Sequence, residues 1–297
     1  MTQVAAQRAV APPAAAGRKR GLTGYLLLLP AGLWLTVFFI VPLFSLVSTS
    51  LYDPAGSLEN GYSMTGDVGN YAQSMQDYFP IFLRSMWYAA ASTLACMVLG
   101  YPLAYAIAFK AGRWKNLMLV AVIAPFFTSF LIRTLSWQLI LGDNGVFVST
   151  LKNLHLMGAD GHLLATPLAV ITGLTYNFLP FMVLPLYTSL EKIDHRLIEA
   201  GADLYASPLT TFRRVTLPLS MPGLVAGTLL TFIPAAGDYI NAELLGNPNT
   251  QMIGNVIQNL FDGGSYPEAS ALSVILMAVI VVMVMLYIRR AGTEELL

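Results

Sequence analysis

Six apolar stretches, each close to the length that crosses a lipid bilayer, constrain this chain more than any other feature. They cover residues 22–47, 86–109, 116–141, 166–190, 222–245 and 270–288. A helix needs about 20 mainly apolar residues to cross the hydrocarbon core. Because backbone groups in lipid must bond to one another, such stretches form helices. The sequence therefore predicts an all-α membrane protein with six transmembrane helices.

The composition agrees with a membrane protein and disfavours several other classes. Of the 297 residues, 56% are hydrophobic and 11% are charged, whereas a soluble domain has about 25% charged residues. The formal net charge is +0, so nucleic-acid binding is not expected. The three histidines and the single cysteine, Cys96, show no clustered ligand spacing, so no metal site is expected. The sequence shows neither a nucleophile–base pair nor a phosphate-cradling glycine loop, so nothing in it indicates an enzyme.

Lysine and arginine are distributed unevenly among the segments between spans, and this asymmetry predicts the orientation. The segments on one side of the predicted membrane carry most of the lysines and arginines, whereas those on the other side carry only Lys152, with Arg84 at a span edge. Cytoplasmic segments carry the excess of these residues, so both termini are predicted to be cytoplasmic. The basic side carries Arg18, Lys19, Arg20, Lys110, Arg113, Lys115, Lys192, Arg196, Arg213, Arg214, Arg289 and Arg290.

The predicted domain organisation is simple. Residues 1–20 form a disordered cytoplasmic tail, residues 21–290 a single transmembrane domain, and residues 291–297 a second cytoplasmic tail. The longest charge-dense interval on the basic side is the 191–222 loop. Its apolar residues recur at steps of three and four, which predicts a helix, and Ser207-Pro208 suits the start of a second helix. A solvated amphipathic loop on the membrane surface is the alternative interpretation.

Three ionisable residues fall inside predicted spans: Arg133, Asp238 and Glu243. Such residues are costly in lipid, about 2.5–3.5 kcal/mol each at mid-bilayer, and usually face a protein interior. Counting a straight helical rise places Arg133 and Asp238 at similar depth in the outer third of the membrane. We therefore predict that Arg133 pairs with Asp238 or Glu243, within this chain or across to a partner.

The fifth span carries a helix break beside its polar residues. Pro234 and Gly237 interrupt the span, and non-helical backbone at membrane depth is tolerated only against protein or a water-filled cavity. Carboxylates beside aromatic rings suit a cation, through charge pairing and cation–π attraction. The predicted substrate pathway is therefore lined by Asp238, Tyr239, Asn241 and Glu243, with Trp137 and Asn177 as further candidates.

The 191–222 loop resembles the cytoplasmic signature of ABC-importer permeases, which reads EAA, three residues, Gly, nine residues, Ile, one residue, Leu-Pro. Glu199 and Ala200 match, and Gly201 replaces the second alanine. Tyr205 stands at the glycine position, and Val215, Leu217 and Pro218 follow at the expected spacing. Residues 125–145 and 232–261 are similar to the polyamine (spermidine/putrescine) branch of that family, specifically its first permease subunit. The resemblance extends from the first span to the last.

The resemblance implies a type I importer permease in the bacterial inner membrane, working with a second homologous permease. It also implies two ATP-binding subunits, which carry the ATP chemistry, and a periplasmic substrate-binding protein. The chain itself then needs no cofactor, and a cationic polyamine is the expected substrate. The residues expected to couple to the ATPases are Glu199, Ala200, Gly201, Asp203, Tyr205, Ala206, Ser207, Val215, Leu217 and Pro218.

Two rival functions stay open at this point. Importers of other small solutes, such as opines, phosphonates or amino-acid-like molecules, resemble the polyamine branch in the same segments. An ion-driven secondary transporter is the rival outside the class, and it would show paired broken spans in two inverted halves. No matching breaks occur in corresponding spans, so the ATP-driven importer is favoured.

Overall fold

Helices form nearly all the regular structure in residues 22–57, 59–158 and 160–291, the part of the chain that the computed structural model describes. The predicted tails 1–20 and 291–297 lie outside the described residues, apart from Ala291. Short π-helical turns occur at Thr36–Ile40, Ala106–Lys110 and Phe212–Thr216, and 3-10 turns at Gly112–Trp114, Ala124–Phe127 and Pro248–Thr250. The α-helices are α1 (Leu22–Leu35), α2 (Val41–Thr49), α3 (Gly69–Tyr105), α4 (Lys115–Ile123), α5 (Phe130–Leu141), α6 (Val146–Asn153), α7 (Pro167–Glu191), α8 (His195–Asp203), α9 (Pro208–Thr211), α10 (Leu217–Leu219), α11 (Met221–Ala236), α12 (Ile240–Leu245), α13 (Ile253–Asp262) and α14 (Tyr266–Ala291).

Each of the six predicted spans has a helical counterpart, which confirms the all-α membrane fold. Two of the counterparts are bent pairs of helices: Gly112–Phe127 with Phe130–Asn153, and Pro208–Leu219 with Met221–Ala236. The other four are continuous and apolar enough to cross a membrane: Leu28–Thr49, Gly69–Lys110, Pro167–Glu191 and Tyr266–Arg290.

The third span is not the continuous helix that the sequence predicts for residues 116–141. The first part ends at Phe127, and α5 begins at Phe130 after a bend of 96°. Pro125 lies in the 3-10 turn before the bend, where its missing N–H prevents the α-helical ladder from continuing. Arg133 therefore lies one turn into a new helix, and the unbroken rise from which its depth is predicted is not present.

The second span is longer than predicted, because its helix begins at Gly69 and not near residue 86. Asp67 Oδ1 accepts the Gly69 N–H at 2.7 Å and so supports this start. The stretch runs on to Lys110 over 42 residues, which is about 63 Å of helix. This exceeds the hydrocarbon thickness of about 30 Å, so α3 continues well beyond the membrane.

The centre of the bundle is formed by α3, α7 and α11, which approach closely through glycines. A Cβ atom on Gly223 would lie 2.5 Å from the Pro185 carbonyl oxygen, and one on Gly227 would lie 2.9 Å from the Met182 sulfur. Small residues allow membrane helices to pack at short distance where no hydrophobic effect drives them together. This packing fixes α11, whose two ends carry the functional elements.

Residues 22–46, which comprise α1, the π turn and the start of α2, belong to a unit separate from the rest of the described chain. Its apolar side chains, such as Leu33, Trp34 and Phe44, are exposed around the whole helix. A helix that is apolar on all sides is typical of a membrane span. The first predicted span therefore has the surface of a lipid-facing helix.

Candidate functional site

The fifth span is broken at residues 237–239, where the sequence predicts it. α11 ends at Ala236, and α12 begins at Ile240. Asp238 Oδ1 accepts the backbone N–H of Asn241 at 2.8 Å and its side-chain Nδ2–H at 3.2 Å. A side-chain acceptor three residues before a free N–H satisfies the start of a helix. Asp238 therefore stabilises the first turn of α12 at the break.

A buried hydrogen-bond cluster connects this break to two other spans. Asn177 on α7 donates from Nδ2 to Asn241 Oδ1 at 3.0 Å and to Thr134 Oγ1 at 3.2 Å. Thr134, on α5, also lies 3.4 Å from Asn241 Oδ1. All three side chains are buried. Asn177 and Asn241 hold α5, α7 and α12 together in this structure, so their predicted place on the substrate pathway has no geometric support here.

The helix α13 packs against the break from another side. A Cβ atom on Gly254 would lie 2.6 Å from the Gly237 carbonyl oxygen, so the backbones approach at a distance that only glycine permits. Asn255 donates from Nδ2 to the Tyr239 carbonyl oxygen at 2.9 Å and to Glu243 Oε2 at 3.0 Å. The sequence did not indicate either residue, because nothing local shows that α13 returns to the break.

Asp238, Tyr239 and Glu243 keep part of their surface open at the break. Glu243 and Tyr239 are exposed and Asp238 is half-buried. Trp137 lies elsewhere, since its ring packs against that of Tyr176 at a centroid distance of 5.3 Å. These two aromatic residues line a largely apolar hollow of about 610 Å³ that none of the three lines. The structure therefore brings three of the predicted pathway residues together at the break, whereas Trp137 packs against the cluster of Leu141, Ala169 and Leu245.

Arg133 is buried without an ion pair in the described part of the chain. Its Nε and Nη1 atoms have no hydrogen-bond partner there, and its Cζ lies 5.2 Å and 5.5 Å from the ring centroids of Phe126 and Phe130. Asp238 bonds to Asn241 instead. The predicted Arg133–Asp238 pair is thus not formed within this chain, because the bend before α5 redirects the arginine. Pairing across to a partner stays a prediction.

The 191–222 loop folds as the predicted helix, tight turn and second helix. Ser207 Oγ accepts the Thr210 N–H at 3.3 Å and so caps α9. A Cβ atom on Gly201 would lie 3.0 Å from Thr211 Oγ1, so the glycine lets α8 and α9 pack closely. This contact gives a physical reason for glycine where the importer signature has its second alanine.

Tyr205 forms the turn between α8 and α9 in a left-handed backbone conformation. Its φ is +56°, and the Ala206 N–H donates to the Gly201 carbonyl oxygen at 3.0 Å. A hydrogen bond that reaches back five residues, directly after a left-handed residue, defines the Schellman ending of a helix, and glycine is the usual left-handed residue there. A non-glycine residue in this conformation costs about 1–2 kcal/mol. The turn geometry is therefore the one that glycine favours, although a tyrosine adopts it.

Contacts from distant parts of the sequence hold the loop against the membrane helices. Phe212 packs edge-on against Tyr101 at a centroid distance of 5.5 Å, and the Tyr101 hydroxyl bonds to Ser220 Oγ at 2.7 Å. Lys115, at the start of α4, forms an ion pair with Glu191 at the end of α7. The sequence did not indicate Tyr101 or Lys115 as partners of the loop, since no local pattern connects them to it.

Most of the signature surface of the loop has no cover in the described chain. The apolar residues Leu197, Leu204 and Leu209 are exposed as well, so a charged and apolar surface is available to another protein. Among the described residues, no three His, Cys, Asp or Glu side chains come together as metal ligands. Of the predicted coupling residues, Glu199, Ala200, Asp203, Tyr205, Ser207 and Pro218 are exposed, and Gly201, Ala206, Val215 and Leu217 are half-buried.

Comparison with known proteins gives a consistent result across the chain. Residues 34–291 match a family described as "Binding-protein-dependent transport system inner membrane component". The spermidine/putrescine transport system permease protein PotB of Escherichia coli (strain K12) is 38% identical over 260 residues, which is 86% of this chain and 93% of that protein. The PotB protein of Haemophilus influenzae is 35% identical over 258 residues, 86% of this chain and 90% of that one.

The fold is also similar to that of a solved transporter. A chain in the crystal structure of a bacterial alginate ABC transporter, in complex with an alginate pentasaccharide-bound periplasmic protein, superposes with a TM-score of 0.69. The match covers 93% of this chain and 96% of that chain at 19% sequence identity. At this identity the likeness concerns the fold, which is that of a type I ABC importer permease.

The buried cluster at the break predicts a measurable coupling between two side chains. Asn177→Ala and Asn241→Ala should each lower the free energy of unfolding by about 1–3 kcal/mol, because each leaves buried polar partners unpaired. The double variant should lose less than the sum, with a coupling energy of about 0.5–2 kcal/mol. Denaturation of the purified protein in mixed micelles measures all three, and exposed Asn249→Ala is the control. If the two single losses simply add up in the double variant, Asn177 and Asn241 do not stabilise each other, and the clamp that these two residues are proposed to form would be contradicted.

Proposed function

The chain belongs to the family of binding-protein-dependent transport system inner membrane components, and from this premise we propose that it conducts a polyamine into the cytoplasm. It is a multi-pass permease subunit of an ABC importer in the inner membrane. The PotB proteins of two bacteria carry spermidine/putrescine transport in their names. The carboxylates at the fifth-span break, half-buried Asp238 and exposed Glu243, carry the proposal for this chain, because they are suited to a cation.

The break offers a polyamine two complementary groups. Asp238 and Glu243 supply negative charge, and Tyr239 supplies an aromatic face beside them. An ammonium group is attracted to both kinds of group, and the attraction increases where water is excluded. The clamp of Asn177, Asn241 and Asn255 behind the break keeps these groups in place. Two partly open carboxylates held in this way form a step on the path of a linear polycation.

The fold alone does not select this substrate. The alginate transporter shares the fold, yet its cargo is anionic, so the polarity of the passage must come from side chains. An importer of opines, phosphonates or amino-acid-like solutes is the alternative within the class. Those solutes carry carboxylate or phosphonate groups, which the acidic break would repel.

We further propose that the 191–222 loop lies in the cytoplasm and transmits ATP-driven motion from two ATP-binding subunits. The excess of lysine and arginine on this side supports the orientation. The loop is compact and is fixed to the membrane helices by Phe212 and by the Lys115–Glu191 ion pair. A helix docked in a groove of the ATPase can then move the bundle as a rigid body. A periplasmic binding protein delivers the substrate on the opposite side.

We propose that a carboxylate of the second permease subunit neutralises Arg133. The guanidinium is nine-tenths buried, and two of its nitrogens lack acceptors in the described chain. The rings of Phe126 and Phe130 provide only partial compensation. A buried unpaired charge is strongly unfavourable, so a partner outside this chain completes the site.

The substrate proposal is tested by Asp238→Asn. Asparagine can still accept the Asn241 N–H and start α12, so the fold is kept while the charge is lost. ATP-driven uptake of spermidine into vesicles that contain all subunits should fall about five- to tenfold, equivalent to about 1–1.4 kcal/mol. Asp262→Asn, at the exposed end of α13, is the matched control. Normal uptake by the Asp238 variant, or loss of subunit assembly, would refute the passage role.

The coupling proposal is tested by Glu199→Lys, which reverses a charge on the exposed face of α8. The variant should insert normally but lower ATP-driven uptake about tenfold, a loss of about 1.4 kcal/mol in docking energy. Asp262→Lys makes the same charge change on the opposite side of the protein and serves as control. Uptake that survives without the ATPase and collapses with the ion gradient would instead favour a secondary transporter.

The pairing of Arg133 is tested by Arg133→Met and Arg133→Lys. Methionine removes the charge and should reduce co-purification of the second permease about tenfold or more. Lysine keeps the charge and should preserve part of the co-purification. Pull-down of the tagged chain from detergent-solubilised complexes measures both variants. Full co-purification and full uptake with methionine at this position would rule out the cross-subunit pair.

A further inference from the structure

Tyr205 has a side chain that its own chain does not use. It is 99% exposed, so the phenol ring makes no packing contact in the described structure. Its backbone is in the left-handed region at φ +56°, where glycine or asparagine would complete the same helix ending more easily. The local fold therefore gives no reason for a tyrosine at this position, and glycine or asparagine would suit the backbone better.

Of the two other left-handed non-glycine residues, His155 ends α6 with the same kind of bond, from the Leu156 N–H to the Leu151 carbonyl oxygen at 3.0 Å, whereas Ala165 differs. Ala165, with φ +62°, donates its N–H to the Leu245 carbonyl oxygen at 2.9 Å and accepts a bond from Asn247. Tertiary contacts thus determine its conformation. Tyr205 has only the helix ending itself, through the Ala206–Gly201 bond. Strained backbone conformations cluster at functional sites. Tyr205 differs from His155 in that it lies within the proposed coupling signature of the 191–222 loop.

The surroundings of Tyr205 form an apolar surface with a charged rim, which we call the turn patch. It consists of Leu204 and Leu209, 81% and 64% exposed, on either side of Tyr205. Glu199 and Asp203 lie exposed on the adjoining helix α8. A buried aromatic anchor surrounded by near-neutral contacts and a polar rim is the usual arrangement at the energetic centre of a protein interface. Arg196 on α8 is exposed as well, so the rim carries charges of both signs, as the polar rim of a protein interface does.

We infer that Tyr205 is the anchor through which this permease recognises its ATP-binding subunit, with the ring filling a pocket on that subunit. The inference rests on the coupling role proposed for the 191–222 loop and adds a specificity-determining residue to it. The left-handed backbone directs the ring away from α8 and α9, so that it projects as a single knob. A permease with glycine at this turn presents the same helices without the knob, so the tyrosine distinguishes this chain for its own ATPase.

The test separates strain from recognition with Tyr205→Gly. Glycine relieves the backbone strain, so the melting temperature of the purified permease should stay equal or rise. The tagged complex is diluted in detergent, and the amount of ATP-binding subunit that stays bound is measured. With glycine, this amount should nevertheless fall about tenfold or more, and ATP-driven spermidine uptake should fall with it. Tyr205→Phe keeps the ring, so its retention of the ATP-binding subunit should lie between that of the glycine variant and that of the native protein. Unchanged retention and uptake with glycine would overturn the inference.

The control uses another left-handed residue. His155→Gly relieves strain at φ +56° on the side opposite the loop, and should leave retention of the ATP-binding subunit unchanged. Glu199→Lys distinguishes the two levels of the proposal. If it releases the ATPase while Tyr205→Gly does not, only the anchor role fails; if neither does, the coupling role of the loop fails as well.

A labelled variant decides between the ATPase and lipid as the occupant. Tyr205→Cys carries a bimane fluorophore, and the one native cysteine, Cys96, is buried. In nanodiscs, the emission should shift to shorter wavelength only when the ATP-binding subunit is present. A shift that occurs without that subunit, and that brominated lipid quenches, would place the patch on the membrane and overturn the inference.

Discussion

The need to satisfy every backbone group in a medium without water governs this structure. A straight helix meets that need alone, but the fifth span is interrupted at residues 237–239, where other residues must supply the bonds. Asp238 caps α12, and Asn255 donates to the Tyr239 carbonyl oxygen. Asn177 then connects Asn241 to the neighbouring spans. The break is thus a built feature, held from three sides, and the open carboxylates beside it depend on that support.

The same physical reasoning applies at the opposite end of α11, in the 191–222 loop. Gly201 lets α8 approach α9, and Tyr205 closes the turn in a left-handed conformation. The π turn Phe212–Thr216 precedes Pro218, whose missing N–H and bulky ring disturb a regular helix. Each irregularity has a local cause, and together they produce a compact projection. α11 connects this projection, across a bend of 65°, to the break at its other end.

The main feature of the spans that the sequence does not predict is a bend in the third span. Periodicity and hydropathy located all six spans, yet neither indicated the 96° bend before α5. The straight helical rise that places Arg133 level with Asp238 is therefore absent, and Asp238 is bonded to Asn241. Asn177 and Asn241 were predicted to face a passage because polar residues in spans often do. Asn177 instead donates to Asn241 and Thr134, while its Oδ1 is buried without a partner in the described part of the chain.

The sequence by itself determined the class of protein, the number of spans, the break in the fifth span and the helix-turn-helix of the loop. These follow from composition, from spacing along a single helix and from proline and glycine, all of which act locally. Only the tertiary structure decided which polar residues support the break and which stay open, that Gly201 meets Thr211, and that Tyr205 is left-handed and uncovered. The reason is that contacts between helices depend on bends and rotations that residues far apart in the chain fix together.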